Sequence, residues 1–399
     1  MAKLLSYFNC LKSINQQRFA LILSVSFFLL SDHFINAQKK DQISINKELI
    51  KDTIDGKIDL SNYIINAHGV IVLPYIITEP AIGGFGVALA PLLITPKKRP
   101  EGYKGYIPPD ITAGYGMYTV NNSWAAGALR VGNIPKYGLK YRVGFTYAKL
   151  NLSFYRDIEG FGNQELDFNI RATPITLEIS KKIGKTELYF GTNYSFSKNV
   201  LKPNFSEDLS EFYSEKELNS NIGSLGIFLD YDKRNTIFTP DHGYRTNLLY
   251  AVNDNWTGSD YKFQDLNGYL QYFLPIKSNW IGGFRLDYKQ NFGDTPFYKL
   301  PYIDLRGIPA ERFQGNTVLV AETEQRFDIS YRWSIIGFTG IGETINDGQN
   351  LKTGKFAFTY GTGFRYFLAR TFGLRTGIDI AKGPDSWGYY LVFGHSWNR

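Results

Sequence analysis

The sequence predicts an all-β protein, a transmembrane antiparallel β-barrel of about 16 strands. Aromatic residues are unusually frequent, with 30 Phe, 28 Tyr and 6 Trp among 399 residues. The chain begins with a segment typical of exported proteins, and most of the remainder divides into strand-length segments in which apolar and polar residues alternate. An exported, aromatic-rich chain with this alternation is typical of a barrel that exposes one face to lipid and the other to a hydrated lumen.

Residues 1–37 are predicted to be a secretory signal peptide. A basic head (Lys3, Lys12 and Arg18) precedes an apolar run from Phe19 to Leu30, and small residues end the segment at Ala37. The apolar run is shorter than the ~20 residues that a membrane-spanning helix needs. The segment therefore predicts export to the outer membrane of a Gram-negative type envelope rather than an N-terminal anchor.

Residues 38–65 are polar and charged and show no sustained period of 2 or 3.6. The stretch is much shorter than an ordinary domain of about 50 residues or more. We expect a short periplasmic N-terminal tail here, followed by the outer-membrane barrel over residues 66–399.

Several function classes are disfavoured by composition. The formal net charge is +7, but positive and negative residues are interspersed, so no nucleic-acid partner is expected. The sequence has only four histidines, and none stands beside a serine in a nucleophile-elbow motif, so the protein is expected not to be an enzyme. Asp230 and Asp232 alternate at a strand end, where such residues usually cap a turn, so no metal or other cofactor is expected.

The alternation is clearest towards the C-terminus. Sixteen strand-length segments follow one another from residue 68, and the last, residues 386–397, should close the barrel. In that segment Tyr389, Leu391, Phe393 and Trp397 share a parity and are predicted to face lipid, whereas Val392 should face the lumen. A water-soluble sandwich fits the alternation equally well, but the aromatic content and the signal peptide favour the barrel.

One strand carries an unusual number of charges. In the segment 321–333 the charged residues share a parity opposite to Phe327, Ile329 and Tyr331, so they are expected to line the lumen. The candidate lumenal charges there and on two later strands are Glu322, Glu324, Arg326, Arg365 and Asp379.

Three stretches within about residues 221–399 carry a family resemblance. In them the chain resembles the BamA/TamA superfamily of outer-membrane assembly and translocation barrels, also called the bacterial surface antigen family. The first is Leu229-Asp230-Tyr231-Asp232-Lys233-Arg234-Asn235, with Pro240 and Gly243 after it, which is similar to the family's turn motif at Asp232, Arg234, Pro240 and Gly243. The second is Leu305-Arg306-Gly307, and the third combines 361–366 with Gly377-Ile378-Asp379.

The resemblance implies an inward-folded loop between strands 11 and 12, held in the lumen through Arg306, Gly307 and Glu324. Two departures are visible. The segment 38–65 is too short for the POTRA domains by which many members bind partners. The family's second carboxylate acceptor aligns with Gly340, so we expect Arg306 to be held by Glu324 alone. The alternative for Arg306 is an ordinary exposed loop residue.

The resemblance implies a POTRA-less barrel that acts in outer-membrane protein assembly, insertion or translocation. Its expected partners are outer-membrane lipid, nascent outer-membrane protein clients and an accessory periplasmic protein or lipoprotein. The alternative is a passive pore or surface receptor that has the fold without an assembly role.

Overall fold

The computed structural model describes residues 50–397 except 67–69, 96, 98–108, 159–161, 206–212, 347 and 350–352. The predicted signal peptide lies outside the described residues. The chain divides into two units, Met1–Lys57 and Ile58–Arg399. In the first, the described residues form a turn in which the Asp52 and Gly56 amides donate to Lys57 O and Asp52 O, at 2.8 and 2.9 Å.

The second unit is built around one sheet of sixteen antiparallel strands in chain order, which confirms the predicted fold class. The strands are β1 Val70–Ile77, β2 Gly86–Thr95, β3 Asp110–Thr119, β4 Trp124–Ile134, β5 Leu139–Ile158, β6 Gly162–Lys182, β7 Leu188–Pro203, β8 Asn219–Asp232, β9 Gly243–Asn253, β10 Phe263–Lys277, β11 Trp280–Gly293, β12 Thr317–Asp328, β13 Trp333–Ile345, β14 Lys355–Ala369, β15 Leu374–Lys382 and β16 Trp387–Phe393.

Helical structure is sparse among the described residues. Two short α-helices, α1 Ser61–Asn66 and α2 Glu215–Leu218, are accompanied by single 3-10 turns. None of these helices is long and apolar enough to cross a membrane. The 3-10 turns are Pro80–Ile82, Pro135–Tyr137, Asn255–Thr257, Phe297–Lys299 and Arg370–Phe372.

The period of 2 separates the two faces of the wall. On β14, Phe356, Phe358 and Tyr360 are exposed on the outer face, whereas Ala357 and Thr359 between them are fully buried on the lumenal side. The same contrast recurs around the barrel because paired residues on neighbouring strands face the same side. The result is an apolar outer belt around a lumen that contains most of the buried charge.

The two ends of the barrel differ. We call the end that carries α1 and the turn between β12 and β13 the N-terminal rim. The opposite end is called the hairpin rim, because the long strands β5 and β6, of 20 and 21 residues, are joined there. Part of this extended hairpin packs over the lumen in an aromatic cluster. Its buried members are Phe154, Leu166, Phe168, Ile170, Leu201, Tyr213 and Phe297.

The N-terminal segment docks on its rim. Asp59 is buried and forms an ion pair with Arg332 at 2.8 Å, and it also accepts the Arg370 amide at 3.1 Å. Burial opposes ionisation of Asp59, but hydrogen bonds from Ser61 and Arg332 outweigh it and lower the pKa of the carboxyl. Part of the predicted tail, from Ile58 onward, is thus fixed to the barrel.

The sheet ends at β1 and β16, and among the described residues no hydrogen-bonded register joins these two strands. The rings of Tyr75 and Phe393 meet across this seam with centroids 6.1 Å apart. The seam is therefore held by side chains rather than by a backbone ladder.

The prediction that the last strand runs to residue 397 and directs Trp397 towards lipid is wrong. Gly394, at φ 84°, ends β16 and turns the chain inward. Trp397 is only 2% exposed and lies inside the lumen. Alternation describes a residue only while the strand continues, and here it stops before Trp397.

Candidate functional site: the inward loop and its anchor

The segment 294–316 between β11 and β12 folds into the lumen. Its apolar residues Ile303, Leu305 and Ile308 pack against Val318 and Val320 of β12. Glycines on β13 make this approach possible, because a Cβ at position 340 would lie 2.6 Å from Leu305 Cδ2 and one at position 342 would lie 2.5 Å from Ile303 Cγ2. The loop is therefore held in the lumen by close apolar packing against β12 and β13.

Arg306, at the tip of this loop, is buried among three carboxylates. Its Nη2 donates to Glu322 Oε1 at 2.7 Å, and its Nη1 lies 2.8 Å from Glu324 Oε2 and 2.6 Å from Asp379 Oδ2. The guanidinium also stacks over the ring of Phe338, 3.5 Å from its centroid. Burial opposes the charge, but the carboxylates outweigh it and raise the pKa of Arg306.

The expectation that Arg306 is held by Glu324 alone is wrong. Asp379 of β15 supplies one further acceptor and Glu322 of β12 supplies another. Gly340 is not a vacant acceptor position, since the side chain of Leu305 occupies the space beside it. The resemblance places the second acceptor on β13, at position 340. It lies on β15 instead, because the curved wall brings that strand within reach of the loop.

The anchor continues into a wider charge network. Arg285 of β11 donates to Glu322 Oε2 at 3.0 Å and also pairs with Asp287. Arg365 of β14 pairs with Asp379, with Nη2 2.9 Å from Oδ2. Each shared carboxylate thus receives more than one donor, as buried charges require.

Gly307 meets two conditions that a larger residue would fail. Its φ is 91°, a left-handed conformation that favours glycine. A Cβ there would lie 2.7 Å from the Gly383 amide nitrogen, and the Gly307 amide donates to the Tyr390 hydroxyl at 2.7 Å. The loop consequently touches β16 and the turn that precedes it.

The loop also reaches the first hairpin, on the other side of the seam. The Ala310 amide donates to Glu79 Oε1 at 3.2 Å, and Glu79 lies in the turn between β1 and β2. On the β16 side, Arg312 pairs with Asp385 at 3.0 Å. One loop therefore contacts both edges of the open sheet.

The C-terminal segment joins the same network from the N-terminal rim. Trp397 Nε1 donates to Glu322 Oε2 at 2.7 Å, and Ser396 Oγ donates to Glu324 at 2.9 Å. His395 Nε2 lies 3.0 Å from Arg234 Nη1. Burial and the neighbouring Arg234 lower the pKa of His395 well below its usual range, so the ring is neutral there.

The turn motif predicted between β8 and β9 also folds inward. Arg234 pairs with Asp232 at 2.7 Å, and Gly243 has a φ of 104° where a Cβ would meet Lys233 O at 2.2 Å. Pro240 is buried beside His395. Arg326 on β12 pairs with Asp241 of this turn and, at 3.1 Å, with Asp328.

The predicted site residues thus lie in one region of the lumen, and little space is left where the turn meets the C-terminal segment. The cavity between the turn, the C-terminal segment and Glu324 measures only about 20 Å³. In the described part of the chain, no group of three or more metal-ligating side chains is placed to hold an ion. The arrangement is suited to holding a loop in place.

Sequence reasoning missed several partners. Arg285 and Asp287 share the polar parity of β11 and were available as lumenal candidates on that signal. Trp397 and Tyr390 carried no such signal, since their roles depend on the inward turn at Gly394 and on where the loop tip comes to rest.

Comparisons with known proteins identify the fold. No protein-family model and no curated protein matches the chain. Among solved structures, BamA from Haemophilus ducreyi lacking POTRA domains 1-3 superposes with a TM-score of 0.57 at 12% identity, covering 82% of this chain and 70% of that chain.

Two further structures are similar. CdiB from Escherichia coli has a TM-score of 0.57 at 9% identity, and CdiB from Acinetobacter baumannii has 0.51 at 10%. Each covers 81% of this chain, which spans 62% and 58% of the respective CdiB chains. The predicted resemblance is confirmed at the level of fold: the chain forms a β-barrel similar to those of BamA and CdiB.

Proposed function

We propose that the protein is an outer-membrane barrel that assists the assembly, insertion or translocation of other proteins, and that it is not an enzyme. The observation that carries this proposal is the seam between β1 and β16, which lacks a backbone ladder yet is bridged by the anchored loop. An unpaired strand edge is a template for pairing with another extended chain.

The loop fits the role of a clamp on that seam. Arg306 fixes the loop to β12 and β15, while Gly307 and Ala310 contact the two hairpins that flank the seam. A client strand that pairs with β1 would need the hairpins to separate. The loop limits this separation, because moving the two hairpins apart breaks the hydrogen bonds that the loop makes with Tyr390 and Glu79.

In this proposal the N-terminal rim faces the periplasm, and clients are nascent outer-membrane proteins. The described N-terminal segment is occupied by docking to its own rim through Asp59. An accessory periplasmic protein or lipoprotein is therefore part of the proposal, because delivery of a client needs a free docking surface.

The test is to lock the seam. Tyr75→Cys with Phe393→Cys places thiols at the two rings that meet across it, and a short bifunctional thiol reagent joins them. The matched control is Ile380→Cys with Tyr389→Cys, directly opposed residues on β15 and β16 that are already joined by the ladder. Both proteins are reconstituted in liposomes and given an unfolded outer-membrane protein, whose heat-resistant folded form is measured.

We expect crosslinking to abolish client folding in the seam variant and to leave the control unchanged. Equal activity of the locked and unlocked seam variants would overturn the proposal. Steady ion conductance through the locked barrel, together with no effect on clients, would instead support a passive pore.

A further inference from the structure

The outer wall carries a concentrated group of positive charge on β5, β6 and β7, which we call the outer basic patch: Lys149, Arg171, Lys198 and Lys202. Arg171, Lys198 and Lys202 are exposed, and Lys149 is partly exposed. On β5, Lys149 continues the parity of Val143, Phe145 and Tyr147, which face outward. The patch therefore projects from the lipid side of the wall rather than into the lumen.

The strand register brings these cations together. Lys149 is directly opposite Arg171, and Arg171 is opposite Val200, so that Lys198 and Lys202 flank it diagonally on β7. Like charges directly opposite each other destabilise a sheet, and diagonal neighbours are within reach of long side chains. The arrangement is thus unfavourable unless an anion lies over it.

Among the described residues, none of the four cations forms an ion pair, in contrast to the paired arginines of the lumen. The nearest carboxylate of the same face on β6 is Asp167, which accepts a hydrogen bond from Ser153 Oγ at 2.6 Å. Within the described part of the chain, the patch is therefore open to an external anion.

The patch lies at one edge of the apolar belt. On β6, Ile175, Leu177 and Ile179 face outward below it, and the strand continues beyond it to the hairpin rim. The outward face above Lys149 and Arg171 changes to amide and hydroxyl groups, including Asn151 and Asn169, which are joined at 2.7 Å. This order of apolar, cationic and polar groups, the last including the carboxylates of Asp167 and Glu165, matches a lipid with acyl chains, phosphates and sugars.

We propose that the outer basic patch binds the phosphate groups of a phosphorylated glycolipid in the outer leaflet of the membrane. This inference rests on the outer-membrane location within the proposed function, but not on assembly activity. A glycolipid is favoured over a glycerophospholipid because the polar outward surface continues beyond the cations, where sugar hydroxyls would find the amide of Asn169. The acyl chains would lie on Tyr147, Ile175 and their outward neighbours.

The experiment compares purified full-length protein in detergent with a charge-removed variant, Arg171→Gln/Lys198→Gln/Lys202→Gln. The matched control, Lys181→Gln/Lys185→Gln/Lys382→Gln, removes the same charge from positions outside the patch. Binding of bis-phosphorylated lipid A, phosphate-free lipid A and phosphatidylglycerol is measured by native mass spectrometry. Heat-resistant electrophoretic mobility verifies that both variants are folded.

We expect the patch variant to bind bis-phosphorylated lipid A on the order of 100-fold more weakly than wild type, since each basic residue contributes roughly fivefold near an anionic surface. The control should bind as wild type does. Equal loss in the control, or equal binding of phosphate-free lipid A by wild type, would overturn the proposal. Phosphatidylglycerol that binds wild type as tightly as bis-phosphorylated lipid A would overturn the assignment to a glycolipid.

Discussion

The two sides of the barrel are built by different rules. From β11 to β15 the lumenal face is charged, buried and cross-connected, with Arg365 1% and Asp379 0% exposed. At the seam, β1 has a ladder on one side only, and the rings of Tyr75 and Phe393 meet across it. Breaking the first region removes buried ion pairs, whereas opening the second removes few contacts.

This difference indicates where the barrel can move. A region with few buried contacts and an unpaired edge opens at low free energy, whereas a fully paired network resists partial opening. The anchored loop connects the two regions, because Arg306 belongs to the network and Gly307 and Ala310 touch the hairpins at the seam. Stability of the one region therefore limits movement of the other.

The largest expected effect is at Arg306. Arg306→Ala leaves Glu322, Glu324 and Asp379 with fewer positive partners in a buried site, which costs about 3–5 kcal/mol when one member of a buried pair is removed. The free energy of unfolding is measured by heat-induced loss of the compact electrophoretic form.

The matched control is Arg312→Ala in the same loop, whose ion pair is more exposed than the anchor, with the Arg312 side chain at 23% and that of Asp385 at 54%. It should cost less than about 1 kcal/mol. A double-mutant cycle between Arg306 and Asp379 should give a clear coupling energy. Equal effects of the two arginine replacements would mean that the anchor and the exposed pair do not differ.

The sequence predicted the strand number, the face of each charged residue on β12 and the position of the inward loop, because these depend on local alternation and on a short motif. It did not predict Asp379 as a partner of Arg306 or Trp397 as a lumenal residue. Those contacts depend on how far the wall curves and on a single turn at Gly394. Such features arise from the curvature of the sheet as a whole and have no periodic signal.

Gly340→Asp should weaken the anchored side rather than strengthen it. A side chain at position 340 would collide with Leu305, whose Cδ2 lies 2.6 Å from the Cβ position. Overpacking of this kind costs about 1–3 kcal/mol. The free energy of unfolding should fall, and the additional change Leu305→Ala should make the aspartate less harmful than it is alone. An increase in stability for the single variant would contradict this packing.

At the seam, Phe393→Ala removes the ring that meets Tyr75, and Phe327→Ala removes a comparable outward ring stacked on Trp280 at 5.1 Å. Each should lose about 0.5–1.5 kcal/mol of aromatic pairing. Only the seam variant should accelerate backbone hydrogen exchange in β1, because β12 is paired on both sides. Equal acceleration next to both rings would mean that the seam is no weaker than the wall.

The smallest effect concerns pH. Glu311 of the inward loop accepts a hydrogen bond from Gln314 at 2.6 Å, and burial raises the pKa of its carboxyl to about 8, although Lys289 and Lys299 act in the opposite direction. Since the folded-state pKa lies above the ordinary value of about 4.5, the stabilising contribution is fully present below that value and is lost as the pH rises from there through about 8.

The unfolding temperature of the wild type should therefore fall more steeply between about pH 5 and pH 8 than that of Glu311→Gln, which cannot ionise. Glu215→Gln, at an exposed position in α2, is the matched control and should keep the wild-type slope. Since Glu311 lies in the loop that bridges the seam, the ionised carboxylate should also increase hydrogen exchange in β1. A wild-type slope in Glu311→Gln would show that this carboxyl does not hold the loop.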